Sequence, residues 1–316
     1  MNILVTTHPF GSYNKEPINM LTETRWNVCY NSLGRRLKYD EVKDMLKNMD
    51  GVIAGTELYN RESIQCAPNL KVISRVGIGF DNIDLDVCKE RGIRVTYTPE
   101  APSDAVADLT VAQIINLLRG VHLSDKSIRN GKWERILGLL ISEVNIGVLG
   151  VGRIGSRVVE RLKPFFPKNI FTCDIHPNEY IEGVIWENKD DLFKKSDLVT
   201  IHIPLSERNR HYVSLNEMGM MKRGSYLINT SRGAILNEED LVVCLENKHL
   251  AGAALDVFEK EPYDGILKKF DNIIFTAHIG ASAKRSRFLM EKRAAEDCIR
   301  VLNNQSPLRP VVEDRY

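Results

Sequence analysis

The stretch from Asn145 to Asp174 constrains this chain more than any other. It reads as an apolar strand (Asn145-Ile-Gly-Val-Leu149), a glycine turn with Gly150, Gly152 and Gly155, an amphipathic helix, a second strand ending Phe171-Thr-Cys173, and then an acid, Asp174. Such a pattern folds as strand, tight turn and helix, with the helix returning the chain to a parallel neighbouring strand. Gly150 permits the tight turn, Gly152 lets backbone approach a pyrophosphate, and Gly155 lets helix pack closely on strand. The backbone at Arg153 and Ile154 opens the helix, whose N-terminus offers N–H groups and a positive dipole end to phosphates. Asp174 follows the turn by about 20 residues, the separation at which an acid hydrogen-bonds the adenosine ribose hydroxyls. A bound dinucleotide is therefore predicted. A carboxylate at 174 repels a 2′-phosphate and Ile175 offers no cation, which favours NAD over NADP; His176 and Lys189 are the side chains able to offset that preference.

At 316 residues the chain has room for two domains. Its 43 basic and 42 acidic residues nearly cancel, which argues against nucleic acid or an acidic membrane surface as partner. The N-terminal run Met1-Asn2-Ile3-Leu4-Val5 is too short and lacks the basic flank of a signal peptide, and no window reaches the length of a membrane span. The six cysteines show no C-x-x-C pair and no metal spacing, so they read as small hydrophobes of a reducing, cytoplasmic protein with no metal site.

Short apolar runs alternate with helical patterns along the whole chain, as in parallel sheets with crossover helices. Strands are predicted at Asn2–Thr6, Gly51–Ala54, Val72–Val76 and Arg94–Tyr97, forming a small α/β unit. Ser103 and Asp104 precede a long helical pattern, after which six further strands fall at Ile146–Leu149, Asn169–Cys173, Leu198–His202, Ser225–Asn229, Gly252–Leu255 and Ile273–Thr276. A last helix, about Ala283 to Leu302, is expected to cross back onto the first unit. That makes the first domain discontinuous, residues 1–98 with 284–316, around a nucleotide domain of residues 99–283, with a cleft between the lobes. No period is readable in Phe10–Arg36.

Three polar residues follow predicted strands of the nucleotide domain: Arg232 in Asn-Thr-Ser-Arg-Gly, Glu261 in Phe-Glu-Lys-Glu-Pro, and His278 in Thr-Ala-His-Ile-Gly. Loops beyond the carboxyl ends of strands are where open α/β sheets bind ligands. A histidine charged with the help of a carboxylate can protonate a carbonyl oxygen near neutral pH, and an arginine fork can hold a substrate carboxylate. The set fits reduction of a 2-oxo acid.

Several motifs occur in order: Arg75-Val-Gly-Ile-Gly-Phe-Asp-Asn-Ile-Asp84, Asp108-Leu-Thr110, Gly131-Lys-Trp-Glu-Arg135, Gly150-Val-Gly-Arg-Ile-Gly155, Asn229-Thr-Ser-Arg-Gly233, Ala251-Gly-Ala-Ala-Leu-Asp-Val-Phe258 and His278-Ile-Gly-Ala-Ser282. Across about Val72 to Ala295 the chain resembles the D-2-hydroxyacid dehydrogenase family, most of all its phosphoglycerate dehydrogenase branch. The resemblance implies an α/β architecture of two lobes, each a doubly wound parallel sheet: a flavodoxin-like substrate-binding lobe and a Rossmann NAD-binding lobe. It assigns His278 as acid–base residue, Glu261 as its carboxylate partner and Arg232 as the substrate-binding arginine. Asp256 would contact the nicotinamide carboxamide, Thr230, Ser231 and Gly280 would line the cofactor, and the N–H groups of Val76 and Gly77 would receive the substrate carboxylate. It further implies a homodimer built on the nucleotide domains. The chain ends at Tyr316, which matches a short form without a C-terminal regulatory domain.

Those family members imply 3-phosphoglycerate and serine biosynthesis as the leading expectation for substrate and role. Hydroxypyruvate, glyoxylate or another D-2-hydroxy acid is the alternative, because Gly55-Thr56-Glu57 stands where phosphoglycerate enzymes often place a phosphate-gripping arginine. Arg75, Lys132 and Arg135 remain as cations for a phosphate. A reading from another class is an NAD-sensing, corepressor-like binding protein, which shares the arginine, glutamate and histidine but would show little turnover.

Overall fold

Side chains alternate between two covered faces along nearly every strand, and that pattern sets the layers of both sheets. The computed structural model describes residues 1–177 and 181–311. It divides into two compact units, Met1–Pro102 with Ala281–Tyr316, and Ser103–Gly280.

The first unit runs β1 (Asn2–Val5), α1 (Glu16–Glu23), β2 (Asn27–Tyr30), α2 (Tyr39–Leu46), β3 (Gly51–Ala54), α3 (Arg61–Gln65), β4 (Val72–Arg75), α4 (Leu85–Glu90) and β5 (Arg94–Thr96). Its sheet has the order β2-β1-β3-β4-β5 with parallel ladders, the flavodoxin-like arrangement. Ile3, Val5, Ile53 and Val72 enter one core, and Leu4, Val52 and Ile73 the other, so these strands read as continuous apolar runs. The C-terminal helix Lys284–Leu302 covers the first face with Met290, Ala294, Ala295 and Cys298, and Ser74 Oγ donates to its Ala294 carbonyl at 2.7 Å.

Phe10–Arg36, unreadable in the sequence, holds α1 and β2. Pro17 starts the helix, and β2 is an edge strand whose residues are only partly buried, so neither leaves a clean apolar period. The order of this sheet reverses between β1 and β3, and the residues just beyond those strands form a buried polar group. Thr6 Oγ1 donates to Glu57 Oε2 at 2.8 Å and lies 2.8 Å from Tyr59 Oη. Burial holds the Tyr59 phenol protonated, and because the single Thr6 hydroxyl proton goes to Glu57 the phenol is the donor to Thr6.

The second unit runs α5 (Ser103–Arg119), α6 (Val121–Arg129), β6 (Asn145–Leu149), α7 (Gly155–Leu162), β7 (Asn169–Cys173), β8 (Ile185–Trp186), α8 (Lys189–Lys195), β9 (Leu198–Ile201), α9 (Leu215–Met220), β10 (Ser225–Asn229), α10 (Glu238–Glu246), β11 (Leu250–Leu255) and β12 (Ile273–Phe275). The sheet order is β12-β11-β10-β9-β6-β7-β8, all parallel. It is a Rossmann sheet extended by one strand, with its order reversing between β6 and β9. Six strands were expected and seven are present among the described residues; β8 has two residues, too few to show a pattern. Leu149, Val199 and Leu227 face one core and Val148, Leu198 and Ile228 the other. Helix α5 begins at Ser103, and Asp104 and Asp108 pair with Arg157 and Arg161 of α7.

Glu217 ties α9 to α8. Burial pushes its carboxyl up, but Lys189 at 2.8 Å, the Ser214 hydroxyl and amide, and Asn216 outweigh burial and lower it from the ordinary 4.5 to about 2. Its folded value lies below its unfolded one, so the stability it contributes is present above the ordinary value and disappears as pH falls toward 2. Acid titrations of unfolding should therefore show Glu217→Gln less stable than wild type at neutral pH, with the gap closing below pH 4.5. A gap independent of pH would assign the loss to shape rather than charge.

Candidate active site

The glycine turn joins β6 to α7 at the point where the sheet order reverses. Gly150 holds φ at +89° and donates its N–H to the Cys173 carbonyl at 2.8 Å. A Cβ on Gly155 would lie 2.0 Å from the Gly150 carbonyl oxygen, so helix and strand can approach this closely only with glycine there. A Cβ on Gly152, by contrast, would meet nothing within 4 Å: this backbone borders open space, as a pyrophosphate cradle requires. Ile154 immediately precedes α7, and the Arg153 carbonyl accepts from Arg157 Nη1 at 2.6 Å.

Asp174 closes the turn from the end of β7. Its Oδ2 accepts the Val151 N–H at 2.7 Å and its Oδ1 the His176 N–H at 2.9 Å. A carboxylate has about four acceptor positions, so these two bonds leave capacity for hydroxyls. Against the turn stands His202, read from the sequence as the end of a strand and not as a site residue; its carbonyl comes within 2.8 Å of a Cβ placed on Gly150. Its buried ring lies 2.9 Å from Thr200 Oγ1, and burial lowers it to about 3, so it is a neutral wall. Its place directly after β9 at the reversal point was the available signal.

The three polar residues gather beyond β10, β11 and β12. After β10, Asn229 Oδ1 accepts from the Ser231 N–H at 3.0 Å and the Ser231 hydroxyl at 2.8 Å, while Asn229 Nδ2 donates to the Arg232 carbonyl at 2.9 Å. This buried amide shapes the turn that presents Arg232, whose Nη1 donates to the Ser231 carbonyl at 2.8 Å. The next residue, Gly233, lies directly against the Phe258–Glu259 backbone. After β12, His278 sits in the left-handed region at φ +53°, its N–H bonded to the Asp256 carbonyl at 2.8 Å.

Glu261 meets His278 Nδ1 with Oε2 at 2.9 Å and Oε1 at 3.1 Å, and also accepts the Phe258 N–H at 3.2 Å. Burial pushes the Glu261 carboxyl up. The His278 hydrogen bond and charge, the Phe258 amide and the Arg232 charge together outweigh that, leaving it below its usual range. Glu261 is thus an anion at working pH. Its bond fixes the proton on Nδ1 and leaves Nε2 to exchange one. A guanidinium beside such a pair can hold a carboxylate while the imidazole protonates a neighbouring oxygen.

Several residues expected to meet cofactor or substrate also have partners within the protein. The Asp256 carboxylate is 1% exposed and accepts the Thr276 hydroxyl at 2.6 Å and the N–H groups of Ile279 and Gly280 at 2.8 Å each. It thereby builds the His278 turn, and a carboxylate with about four acceptor positions keeps capacity beyond these three bonds. The Thr230 hydroxyl lies 3.0 Å from that of Thr110, and the Ser231 hydroxyl donates to Asn229 Oδ1, which leaves each an acceptor position. In the first unit, the Val76 N–H donates to the Ala54 carbonyl at 2.9 Å and the Gly77 N–H to Thr98 Oγ1 at 2.9 Å. These amides, expected to receive a substrate carboxylate, are engaged here by continuation of the β3–β4 ladder and by the Thr98 hydroxyl. Arg75 is buried, folded over Gly77 and donating to the Val76 carbonyl.

Among the described residues no helix is long and apolar enough to cross a membrane, and all six cysteines are free thiols. Residues 111–280 match the family described as D-isomer specific 2-hydroxyacid dehydrogenase, NAD binding domain. A glyoxylate reductase of Thermofilum pendens is 39% identical over 303 residues, covering 92% of this chain and 89% of its own. A D-3-phosphoglycerate dehydrogenase of Methanocaldococcus jannaschii is 35% identical over 278 residues, 85% of this chain but 53% of its own. A crystal structure from Thermus thermophilus superposes with a TM-score of 0.90 at 32% identity, covering 99% of this chain and 100% of its own. The glycine turn, the two parallel sheets and these likenesses over nearly the whole chain agree: the protein belongs to the D-isomer specific 2-hydroxyacid dehydrogenases, enzymes that use NAD.

Proposed function

We propose that the protein interconverts a small, unphosphorylated D-2-hydroxy acid and its 2-oxo acid, with Arg232, Glu261 and His278 performing the chemistry. The observation that carries this reading is the His278–Glu261 contact with the Arg232 charge acting on the same carboxylate. The residues around the turn suit NAD: open backbone at Gly152, the α7 N-terminus, and the Asp174 carboxylate in place of any cation for a 2′-phosphate. When bound, the reduced nicotinamide supplies the hydride. Arg232 holds the substrate carboxylate in a two-pronged grip and so orients the carbonyl. His278 gives its Nε2 proton to the carbonyl oxygen as charge develops there, and Glu261 stabilises the imidazolium beforehand. In the oxidative direction neutral His278 takes the hydroxyl proton.

Arg232→Lys is expected to raise the substrate KM about tenfold or more and to slow kcat, because an ammonium cannot reproduce the planar fork. Steady-state kinetics with the NADH affinity as control checks this, and unchanged parameters would make Arg232 structural.

For the acyl group, the buried Glu57 carboxylate beyond β3 and the inward-folded Arg75 favour a substrate without phosphate. The glyoxylate reductase of Thermofilum pendens supports glyoxylate or hydroxypyruvate. A second reading, 3-phosphoglycerate and a place in serine biosynthesis, draws on the Methanocaldococcus relative and on the exposed Lys132, which shares an ion pair with Glu134 at 3.7 Å. Specificity constants for glyoxylate, hydroxypyruvate and 3-phosphohydroxypyruvate decide between them: a tenfold preference for the phosphorylated acid would reverse the order.

A homodimer is part of the proposal. Trp133, Leu137 and Leu140 are 81%, 99% and 55% exposed, and Val121 and Ile128 are exposed as well, apolar side chains of the second unit that a second copy would cover. Six free thiols suit a reducing, cytoplasmic setting.

A further inference from the structure

The loop that carries Glu261 is gripped by side chains with no part in the chemistry proposed above. Glu238 opens α10, and its Oε1 accepts the Glu259 N–H at 2.8 Å. From elsewhere in the unit His211 Nε2 meets Glu259 Oε1 at 2.5 Å, and Arg210 Nη1 lies 3.6 Å from the same oxygen. His211 is itself held, its N–H bonded to the Ala234 carbonyl at 2.8 Å. Asn237 fixes the start of α10 by accepting the N–H groups of Glu239 and Asp240. The Arg232-bearing segment, the start of α10 and the Glu261-bearing loop thus form one bonded assembly.

Glu238 is more than a loop tie. Burial raises its carboxyl above the usual range; the Glu259 amide and His211 pull it down, while the charges of Glu259 and Glu261 push it further up. The Glu261 charge thus reaches the Glu238 carboxylate, with Glu259, His211 and Tyr263 as the other titratable groups facing it.

We infer that Glu238 is a positioning residue for the His278–Glu261 pair: it fixes the Glu261 loop through the Glu259 amide and adds a second negative charge to the surroundings of Glu261. The charge strengthens the hold of Glu261 on a protonated His278, and the hydrogen bond keeps that carboxylate at Nδ1. The inference rests on the proposed role of His278 and Glu261 in proton transfer.

The test compares Glu238→Ala and Glu238→Gln in the full-length protein, using kcat, KM for NADH and the pH profile of 2-oxo acid reduction. Glutamine keeps an oxygen for the Glu259 N–H but loses the charge; alanine loses both. Glu238→Ala should lower kcat about 10- to 100-fold with little change in KM for NADH, the scale of effect expected from a misplaced catalytic group. Glu238→Gln should restore most of kcat, yet both variants should lose reductase activity at lower pH than wild type, because protonated His278 has lost support. A merely structural residue would not move that limb. An unshifted limb in both variants, or a glutamine protein no more active than the alanine one, overturns the inference. If the alanine protein does not fold, the limb of the glutamine protein decides alone. His278→Ala, run alongside, separates the two claims: wild-type turnover there refutes the proton-transfer reading itself, whereas an inactive His278→Ala beside unaltered Glu238 variants refutes only the positioning role.

Discussion

His278→Ala is expected to lower kcat by about 100- to 10,000-fold, the usual contribution of a positioned general acid. In activation free energy that is about 3–5 kcal/mol, large enough to stand clear of any effect on folding. NADH affinity should change little, because the glycine turn and Asp174 do not depend on the imidazole. His278 lies at φ +53°, and alanine, which keeps the Cβ, leaves that backbone strain in place. Glu261→Gln is the matching variant: it preserves shape and removes the charge that outlasts burial at this position. It should cost less than His278→Ala and shift the loss of reductase activity to lower pH. Stopped-flow NADH oxidation with equilibrium NADH binding on each variant reads both. If His278→Ala turned over at the wild-type rate, the imidazole would have no part in proton transfer.

The second large effect is expected at Gly233. A Cβ there would lie 1.9 Å from the Phe258 carbonyl carbon, 2.2 Å from its oxygen and 2.3 Å from the Glu259 nitrogen. All three are backbone atoms, so relief requires moving the chain that carries Arg232 away from the chain that carries Glu261. Overpacking of this kind costs about 1–3 kcal/mol of stability. Displacing two functional side chains relative to each other should also lower kcat/KM by about 100-fold. Gly219→Ala is the control: it lies in α9, and its added methyl meets nothing within 4 Å. It should be neutral or gain about 0.5–1 kcal/mol from a stiffer unfolded chain. Thermal melts and kinetics of the two alanine proteins make the comparison. Equal behaviour would mean that the close approach at Gly233 is dispensable.

What was legible in the sequence was what has a period or an obligatory glycine. The β6–turn–α7–β7–Asp174 run could be read because each step demands a residue type: the Gly155 methyl position is filled by the Gly150 carbonyl, and no other residue fits. Strands such as Leu198–Ile201, buried on both faces, stand out as apolar runs. The edge strand β2 and the two-residue β8 do not, because partial exposure and shortness erase the pattern. Within the site, Arg232, Glu261 and His278 were visible as polar residues after strands, while the residues that arrange them were not. Asn229 appears in sequence as the end of a strand and Glu238 as a helix N-terminal acid. Their work, bonding the Arg232 turn and the Glu259 amide, depends on contacts made only after the sheet assembles. Asp256, expected at the cofactor, also accepts three donors of the His278 turn, a structural role that no sequence pattern displays.

The most direct measurement of the central claim is isotope transfer from NADH deuterated at C4 of the nicotinamide to hydroxypyruvate, with product analysis by NMR and chiral chromatography. Direct hydride transfer predicts D-glycerate bearing deuterium at C2, formed by wild type and lost with His278→Ala. A product of L configuration, or tight NADH binding without deuterium reaching any small 2-oxo acid, would contradict it.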